Sequence, residues 1–341
     1  MLHTIHTAVT AKVPASVANL GPGFDVHSIA LQKPWIEVTL SKSNSPPSVI
    51  RATGSYAKEV ITGPELHAAA RALRNLNMKF GVPKTYALEV NVEIPPRRGL
   101  GLSGAEAVGA VLCANRLFHL GLDIQAVVRL AAAAEPSHHV DNVAASALGG
   151  FNIISRNPLT EEPQIMTFLP PADLGVALVV PDVEKVSTEA TRRVLPDTVS
   201  REQYVRSMGY IARISAAFAQ SDIRTIIETL PWDSFVEPSR ADAGSYGTGV
   251  DSRFLREEKE MLLKEFHIAE TISGAGPSRA LWYSISENSR SLRKRKTSLI
   301  EGAIEKVSNR FQSLGYNVRE VFVTKPSVKG ATLKSVAKAR A

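Results

Sequence analysis

Residues 86–107 constrain this chain more than any other stretch. Tyr86, Leu88, Val90, Val92 and Ile94 alternate with other residues, the period of a strand with one buried face. Val108, Val111, Leu112 and Phe118 then recur at helical spacing. Between the two runs lies Pro95-Pro96-Arg97-Arg98-Gly99-Leu100-Gly101-Leu102-Ser103-Gly104-Ala105, so the stretch reads as strand, glycine loop, helix. Such a loop aims free backbone N–H groups and the positive end of a helix dipole at one point, which favours phosphate. Glycines admit a bulky anion, and Arg97 and Arg98 add charge. A tight turn with no ligand is the alternative reading of the loop alone.

With 341 residues, the chain exceeds the usual span of one core, and about 150 residues per domain predicts two. No apolar run approaches the roughly 20 residues of a membrane span, and the first residues lack a basic-then-apolar leader pattern. A cytoplasmic enzyme or binding protein is the expectation. The single cysteine, Cys113, falls in the predicted helix and excludes an internal disulfide. The formal charge of +7 gathers in Arg290, Arg293, Lys294, Arg295 and Lys296 and in a tail with Lys325, Lys329, Lys334, Lys338 and Arg340. No aromatic residues interleave with these, so no nucleic-acid partner is expected.

Along the chain, Val9, Ala11 and Val13 alternate, and 35–40 forms another apolar-rich run. Between them lies the elaborate connection Pro14-Ala15-Ser16-Val17-Ala18-Asn19-Leu20-Gly21-Pro22-Gly23-Phe24-Asp25, a sharp bend flanked by polar groups. Residues 41–48 read as a loop and 64–80 as a helix with Pro64 at its start. A helix over 124–134 ends at Glu135-Pro136 and precedes the polar cluster Ser137-His138-His139-Val140-Asp141-Asn142. Residues 156–171, with four prolines, suit a domain boundary. Beyond it the pattern predicts a strand at 174–180, helices at 202–220, 222–230 and 254–266, and a functional loop over 231–249. Two strands around a glycine turn follow at 271–283, then a long helix over 289–314 and a last strand at 318–323. Helices and strands mix without strict alternation, which favours α+β.

Several chemistries fail on context. Gly99, Gly101 and Gly104 fit G-x-G-x-x-G, but the preceding strand is half polar and no acidic residue ends a following strand, against a dinucleotide fold. No lysine follows Gly104, against the common phosphate loop. His138, His139 and Asp141 match no zinc spacing, and no Gly-x-Ser-x-Gly elbow occurs. Ser103 and Glu135 instead suit magnesium, which takes few protein oxygens and completes its shell with phosphate.

Three glycine motifs stand in order over most of the chain: 14–25, 95–105, and Ile272-Ser273-Gly274-Ala275-Gly276-Pro277. In this the chain resembles the GHMP kinases, and within them it is most similar to the homoserine kinase branch. His139-Val140-Asp141-Asn142-Val143-Ala144, Leu148-Gly149-Gly150, Ser187-Thr188 through Arg192 to Leu195-Pro196, and Val236-Glu237-Pro238 leading to Arg240 carry the second resemblance. It implies a two-domain α+β fold, with a ribosomal protein S5 domain 2-like region (residues 1–160, binding ATP) and a ferredoxin-like region (161–341, with the basic tail). ATP would lie along Pro95, Arg97, Arg98, Gly99, Leu100, Gly101, Leu102, Ser103, Gly104 and Ala105, and Mg2+ at Ser103 and Glu135.

The same resemblance implies that Asn19, Asp25, Asp141, Arg192 and Arg240 contact homoserine, with Asp141 and Arg192 at the chemistry, a step of threonine biosynthesis. Carboxylates for an ammonium and arginines for a carboxylate are what an amino acid requires. Glu106 reads as an exposed first-turn residue on the helix dipole. The pattern departs from the family at Leu102, where a serine is usual, at Gly104, in a shortened 135–141 stretch, and at 242–247. The alternatives are another small alcohol, such as shikimate, pantoate or a mevalonate derivative, or a silent binding member of the fold. A homodimer is one possible assembly.

Overall fold

The computed structural model describes residues 8–43, 49–135, 138–184, 187–292 and 298–334. The alternation at Val9, Ala11 and Val13 becomes the buried face of β1 (Ala8–Ala18), antiparallel to the long β2 (His27–Lys42). Pairing runs on through Pro14, with one irregularity before Ser16. The first glycine motif is therefore strand as far as Ala18 and turn only from Asn19. β3 (Val49–Thr53) lies parallel to β4 (Tyr86–Val92), which pairs antiparallel with β2. β5 (Phe151–Arg156) joins the first residues of β2, and β6 (Pro163–Phe168) joins β5.

Helices α2 (Leu102–Leu117) and α4 (Asp141–Leu148) pack on this sheet, and α1 (Ala68–Phe80) and α3 (Ile124–Ala132) pack against those helices. α2 is buried on most sides, and its Gly109 sits so near Val38 that a Cβ there would overlap it. Close approach of helix to sheet is what fixes the direction of the helix N-terminus. α1 begins at Ala68 rather than Pro64 because His67 caps it, Nδ1 accepting from the Ala69 N–H at 3.2 Å.

The second sheet comprises β7 (Leu174–Pro181), β8 (Ala269–Ile272), β9 (Arg279–Ser284) and β10 (Val318–Thr324) in the order β10-β7-β9-β8, antiparallel throughout. That order, fourth-first-third-second, is the ferredoxin-like arrangement, and the α+β expectation holds. Helices α7 (Ile223–Thr229), α9 (Ser252–Phe266), α10 (Ile285–Leu292) and α11 (Leu299–Ser313) pack on this sheet, α6 (Arg201–Gln220) on α7 and α8 (Val236–Asp242) on α9, with α5 (Thr188–Arg193) ahead of them in the chain. β7 is buried on both faces. Val176 and Leu178 join the core of the first sheet, while Ala177 and Val179 face Val307 and Phe311 of α11. One core thus continues from the first sheet to the second. The chain then returns, and β11 (Thr332–Leu333) pairs with β1.

Several elements differ from expectation. Residues 156–171 contain β6, hydrogen-bonded in the first sheet. Residues 231–249 contain α8, capped by Asp233, whose carboxylate takes the N–H groups of Phe235, Val236 and Glu237. The long helix over 289–314 is two helices, α11 beginning afresh with a capping box between Ser298 and Glu301. Ser41 and Lys42 belong to β2. Residues 44–48, Pro136 and Ser137, the basic run 293–297 and the end of the tail at 335–341 lie outside the described residues. Among those described, no helix is long and apolar enough to cross a membrane.

The second sheet is tied to its helices by buried charge. The Arg279 guanidinium, fully buried, meets Glu270 at 2.8 Å and Glu258 at 3.0 Å, and Arg310 meets Glu258 at 3.1 Å. Burial first, and then the charge of Glu258, raises the Glu270 carboxyl well above its usual range. Removing one member of such a group leaves an uncompensated buried charge. Arg279→Met is expected to cost about 3–5 kcal/mol in urea denaturation; a loss under about 1 kcal/mol would show that the cluster is not what holds the sheet to its helices.

Candidate active site

The loop from β4 to α2 takes shape through backbone that few side chains tolerate. Gly99 and Gly101 have φ of +78° and +73°, and Arg97 has φ of +55°. A Cβ on Gly101 would overlap Ser16 Oγ, and one on Gly99 would overlap the Ser273 carbonyl. Gly101 is also the N-cap of α2, and no side chain caps the helix. The first N–H groups of a 16-residue helix therefore face the loop, as an anion requires. This backbone cradle fits a polyphosphate.

The other two glycine motifs close on the first. Ser16 N donates to the Leu100 carbonyl at 3.3 Å, and Ser16 Oγ to Asn142 Oδ1 at 2.9 Å. Asn19, at φ +74°, accepts from the Asp25 N–H through Oδ1 at 3.2 Å and donates from Nδ2 to the Gly274 carbonyl at 2.6 Å. Ser273 Oγ donates to the Gly99 carbonyl at 2.8 Å. A cavity of about 380 Å³ opens at this junction.

One end of the cavity is charged in both signs. Arg192, near the end of α5, donates to Asp25 Oδ1 at 2.5 Å and to His139 Nε2 at 3.1 Å. Arg240, in α8 and buried, donates to the carbonyls of Thr191 at 3.1 Å and Gly274 at 3.4 Å. Both guanidinium groups stand over the Phe24 ring, at 5.0 and 5.2 Å from its centre. Asp141, the first residue of α4, is buried and accepts from the Asn142 N–H at 2.7 Å. Burial, and next the charge of Asp25, pushes its carboxyl up to about 6.

At the other end Ser103 Oγ donates to Glu135 Oε2 at 2.7 Å. Two hard oxygens so close fit one magnesium ion completed by phosphate and water. Among the described residues no three acidic or imidazole side chains form a cation cage by themselves.

Of the residues expected from sequence, Asn19, Asp25, Pro95, Arg97, Gly99, Leu100, Gly101, Leu102, Ser103, Glu135, Asp141, Arg192 and Arg240 line this one cavity. Arg98, Gly104 and Ala105 do not. Arg98 is buried and spends its guanidinium on the carbonyls of Pro181 at 3.2 Å and Pro96 at 3.3 Å, tying the loop to β7. Arg97 lines the cavity but pairs with Glu184 at 3.0 Å. Gly104 packs against Asn142 and Val143, letting α2 and α4 touch. Glu106 is the clear reversal: it is buried and lines the cavity, because α1 covers that side of α2. His139, Phe24 and His67 line the cavity as well, outside the expected site residues. Only the placing of Glu106 on the face of Ser103, three positions apart, was open to detection from spacing.

A family model for the GHMP kinases N terminal domain matches residues 66–150. The homoserine kinase of Methanococcus vannielii is 31% identical over 274 residues, covering 79% of this chain and 86% of that protein. The homoserine kinase of Aeropyrum pernix is 31% identical, covering 83% and 88%. In fold, a homoserine kinase crystal structure from Cytophaga hutchinsonii superposes with a TM-score of 0.80 at 23% identity, over 98% of this chain and 99% of that one. Mevalonate diphosphate decarboxylase from Staphylococcus aureus does so at 0.68 with 15% identity, over 96% and 98%.

Proposed function

This chain belongs to the GHMP kinase family, and we propose that it transfers the γ-phosphoryl group of ATP to the side-chain hydroxyl of L-homoserine, toward threonine. One observation carries the choice of acceptor. Asp25, Arg192 and Arg240 bring both signs of charge together around Phe24, in the cavity that an uncapped helix N-terminus also lines. An α-amino acid needs an acceptor for its ammonium and guanidinium groups for its carboxylate, and neither shikimate nor mevalonate presents an ammonium. Residues 1–160 supply the nucleotide loop in this reading, and residues 161–341 the two arginines and the third glycine turn. A cytoplasmic location belongs to the same proposal.

The residues divide the work by position. Asn19 and Asp25 hold the ammonium, and Arg192 and Arg240 the carboxylate, Arg192 turning from Asp25 to do so. This places the acceptor hydroxyl by Asp141. The hydroxyl oxygen bonds to the γ-phosphorus as the bridge to the β-phosphate breaks, ADP leaves, and the hydroxyl proton passes to the Asp141 carboxylate. The N–H groups of α2 and the backbone of Gly99 and Gly101 keep the chain of phosphates in line, so catalysis is chiefly positioning and charge neutralisation. Ser103 and Glu135 would hold magnesium, whose role is to draw off charge from the phosphate oxygens.

ADP release across a panel of alcohols tests the proposal. Turnover with L-homoserine, and little with shikimate, pantoate or mevalonate, is expected. Turnover with pantoate or shikimate alone would overturn the acceptor, and none with any alcohol would leave a silent binding protein. The pH profile tests Asp141. Its ionised form accepts the proton and grows as pH rises through about 6. The rate should climb about tenfold per pH unit below that value and level off above it, with the limb lost in Asp141→Asn. An unchanged limb in that variant would exclude Asp141 as the base.

A further inference from the structure

The mechanism above leaves Glu106 unused. It sits on α2 one turn beyond Leu102 and Ser103, so the three share a face and line the same cavity. Only 5% of Glu106 is exposed. Burial raises its carboxyl to about 8, and the next cause is the negative charge of Glu135, the partner of Ser103. The carboxyl is aimed by N–H groups from α1. The Ala68 N–H points at it, and His67 Nε2, itself buried without a hydrogen-bond partner, stands 3.6 Å from Oε1. His67 Nδ1 accepts from the Ala69 N–H, so the imidazole proton lies on the Nε2 side facing Glu106. Burial also lowers His67 to about 4, so it brings no positive charge.

Of the cations nearby, Arg71 acts on Glu106 through its charge, which favours the ionised carboxyl, while its hydrogen bonds go to backbone carbonyls. Arg71 donates to the carbonyls of Ala134 at 2.8 Å and Leu66 at 2.6 Å, Arg97 pairs with Glu184, and Arg98 faces β7. Leu102, one position before Ser103, offers no oxygen. A carboxyl oriented in this way shares a helix face with Ser103 on the wall of the cavity, where a divalent cation that replaces its proton would gain a further oxygen.

We infer that Glu106 is a third protein oxygen donor for the divalent cation that accompanies the nucleotide, acting with Ser103 and Glu135. The inference rests on the nucleotide reading given above. His67 and the Ala68 N–H orient the ligating carboxylate, the usual task of groups behind a metal ligand, and phosphate oxygens and water complete the shell.

Manganese in place of magnesium makes the site visible without turnover. Free Mn2+ is followed by electron paramagnetic resonance as it is added to the protein with a non-hydrolysable ATP analogue, for the wild type, Glu106→Gln and Glu106→Ser. Both variants should bind Mn2+ at least about tenfold more weakly. Their affinity for the analogue without metal should stay within twofold of wild type, because the carboxyl raised to about 8 is neutral in the metal-free site. Mn2+ affinity within twofold of wild type in either folded variant overturns the inference. So does an equal loss of analogue binding with and without metal, which would make Glu106 only a clamp on α1. Failure of the wild type to bind the analogue with Mn2+ would instead overturn the nucleotide site itself.

Discussion

Everything at the site depends on the packing of three glycine turns at Gly274. Its carbonyl accepts from Asn19 Nδ2 and Arg240 Nη1, and its N–H donates to the Ala18 carbonyl at 3.1 Å. Next to it Ser273 Oγ reaches the Gly99 carbonyl. Backbone meets backbone here with no room for a Cβ at Gly99, and buried polar groups find partners across the junction rather than within one turn. The β4–α2 loop, the turn at 19–25 and helix α8 are thus held by one set of contacts, although residues as far apart as 19 and 274 supply them.

Buried charge fixes the second half of that junction. Glu237, one turn before Arg240, accepts from the Ile272 N–H at 2.9 Å and pairs with the buried Lys259, which also donates to the Pro231 carbonyl. Ile272 leads straight into the glycine turn, so the distance from α8 to Gly274 is set by a carboxylate rather than by apolar contact alone. On the neighbouring strand β9, the Arg279 cluster has the same effect. Ion pairs of this kind contribute little net stability, but they penalise any other arrangement of the groups they join.

The sequence made the strands and helices around the glycine loop legible because alternation and helical spacing are local properties: β4 ends within two residues of expectation, while α2 begins at Leu102, inside the stretch expected as loop. Order and spacing of the three glycine motifs identified the fold, and thirteen of the expected site residues line the cavity. What escaped was set by tertiary contact. Two adjacent arginines look alike in sequence, yet the left-handed backbone at Arg97 sends Arg98 into the interior. Glu106 looked exposed because nothing local says that the N-terminus of α1 will cover it. Residues 231–249 look like a loop because the cap that starts α8 is the Asp233 carboxylate, three residues before Val236 and joined to the N–H groups of Phe235, Val236 and Glu237, a contact that no periodicity announces.

The geometry combines an uncapped helix N-terminus, a candidate magnesium pair and a cluster of charges of both signs around one cavity, and it is the joining of these that makes a phosphoryl transfer to an amino-acid hydroxyl the reading to test. Phosphorus nuclear magnetic resonance of the protein with ATP, Mg2+ and L-homoserine follows that transfer directly. Transfer predicts that the γ-phosphate signal is replaced by a phosphomonoester coupled to the protons of the homoserine side-chain methylene. ATP consumed only to inorganic phosphate, with no ester formed, would contradict it.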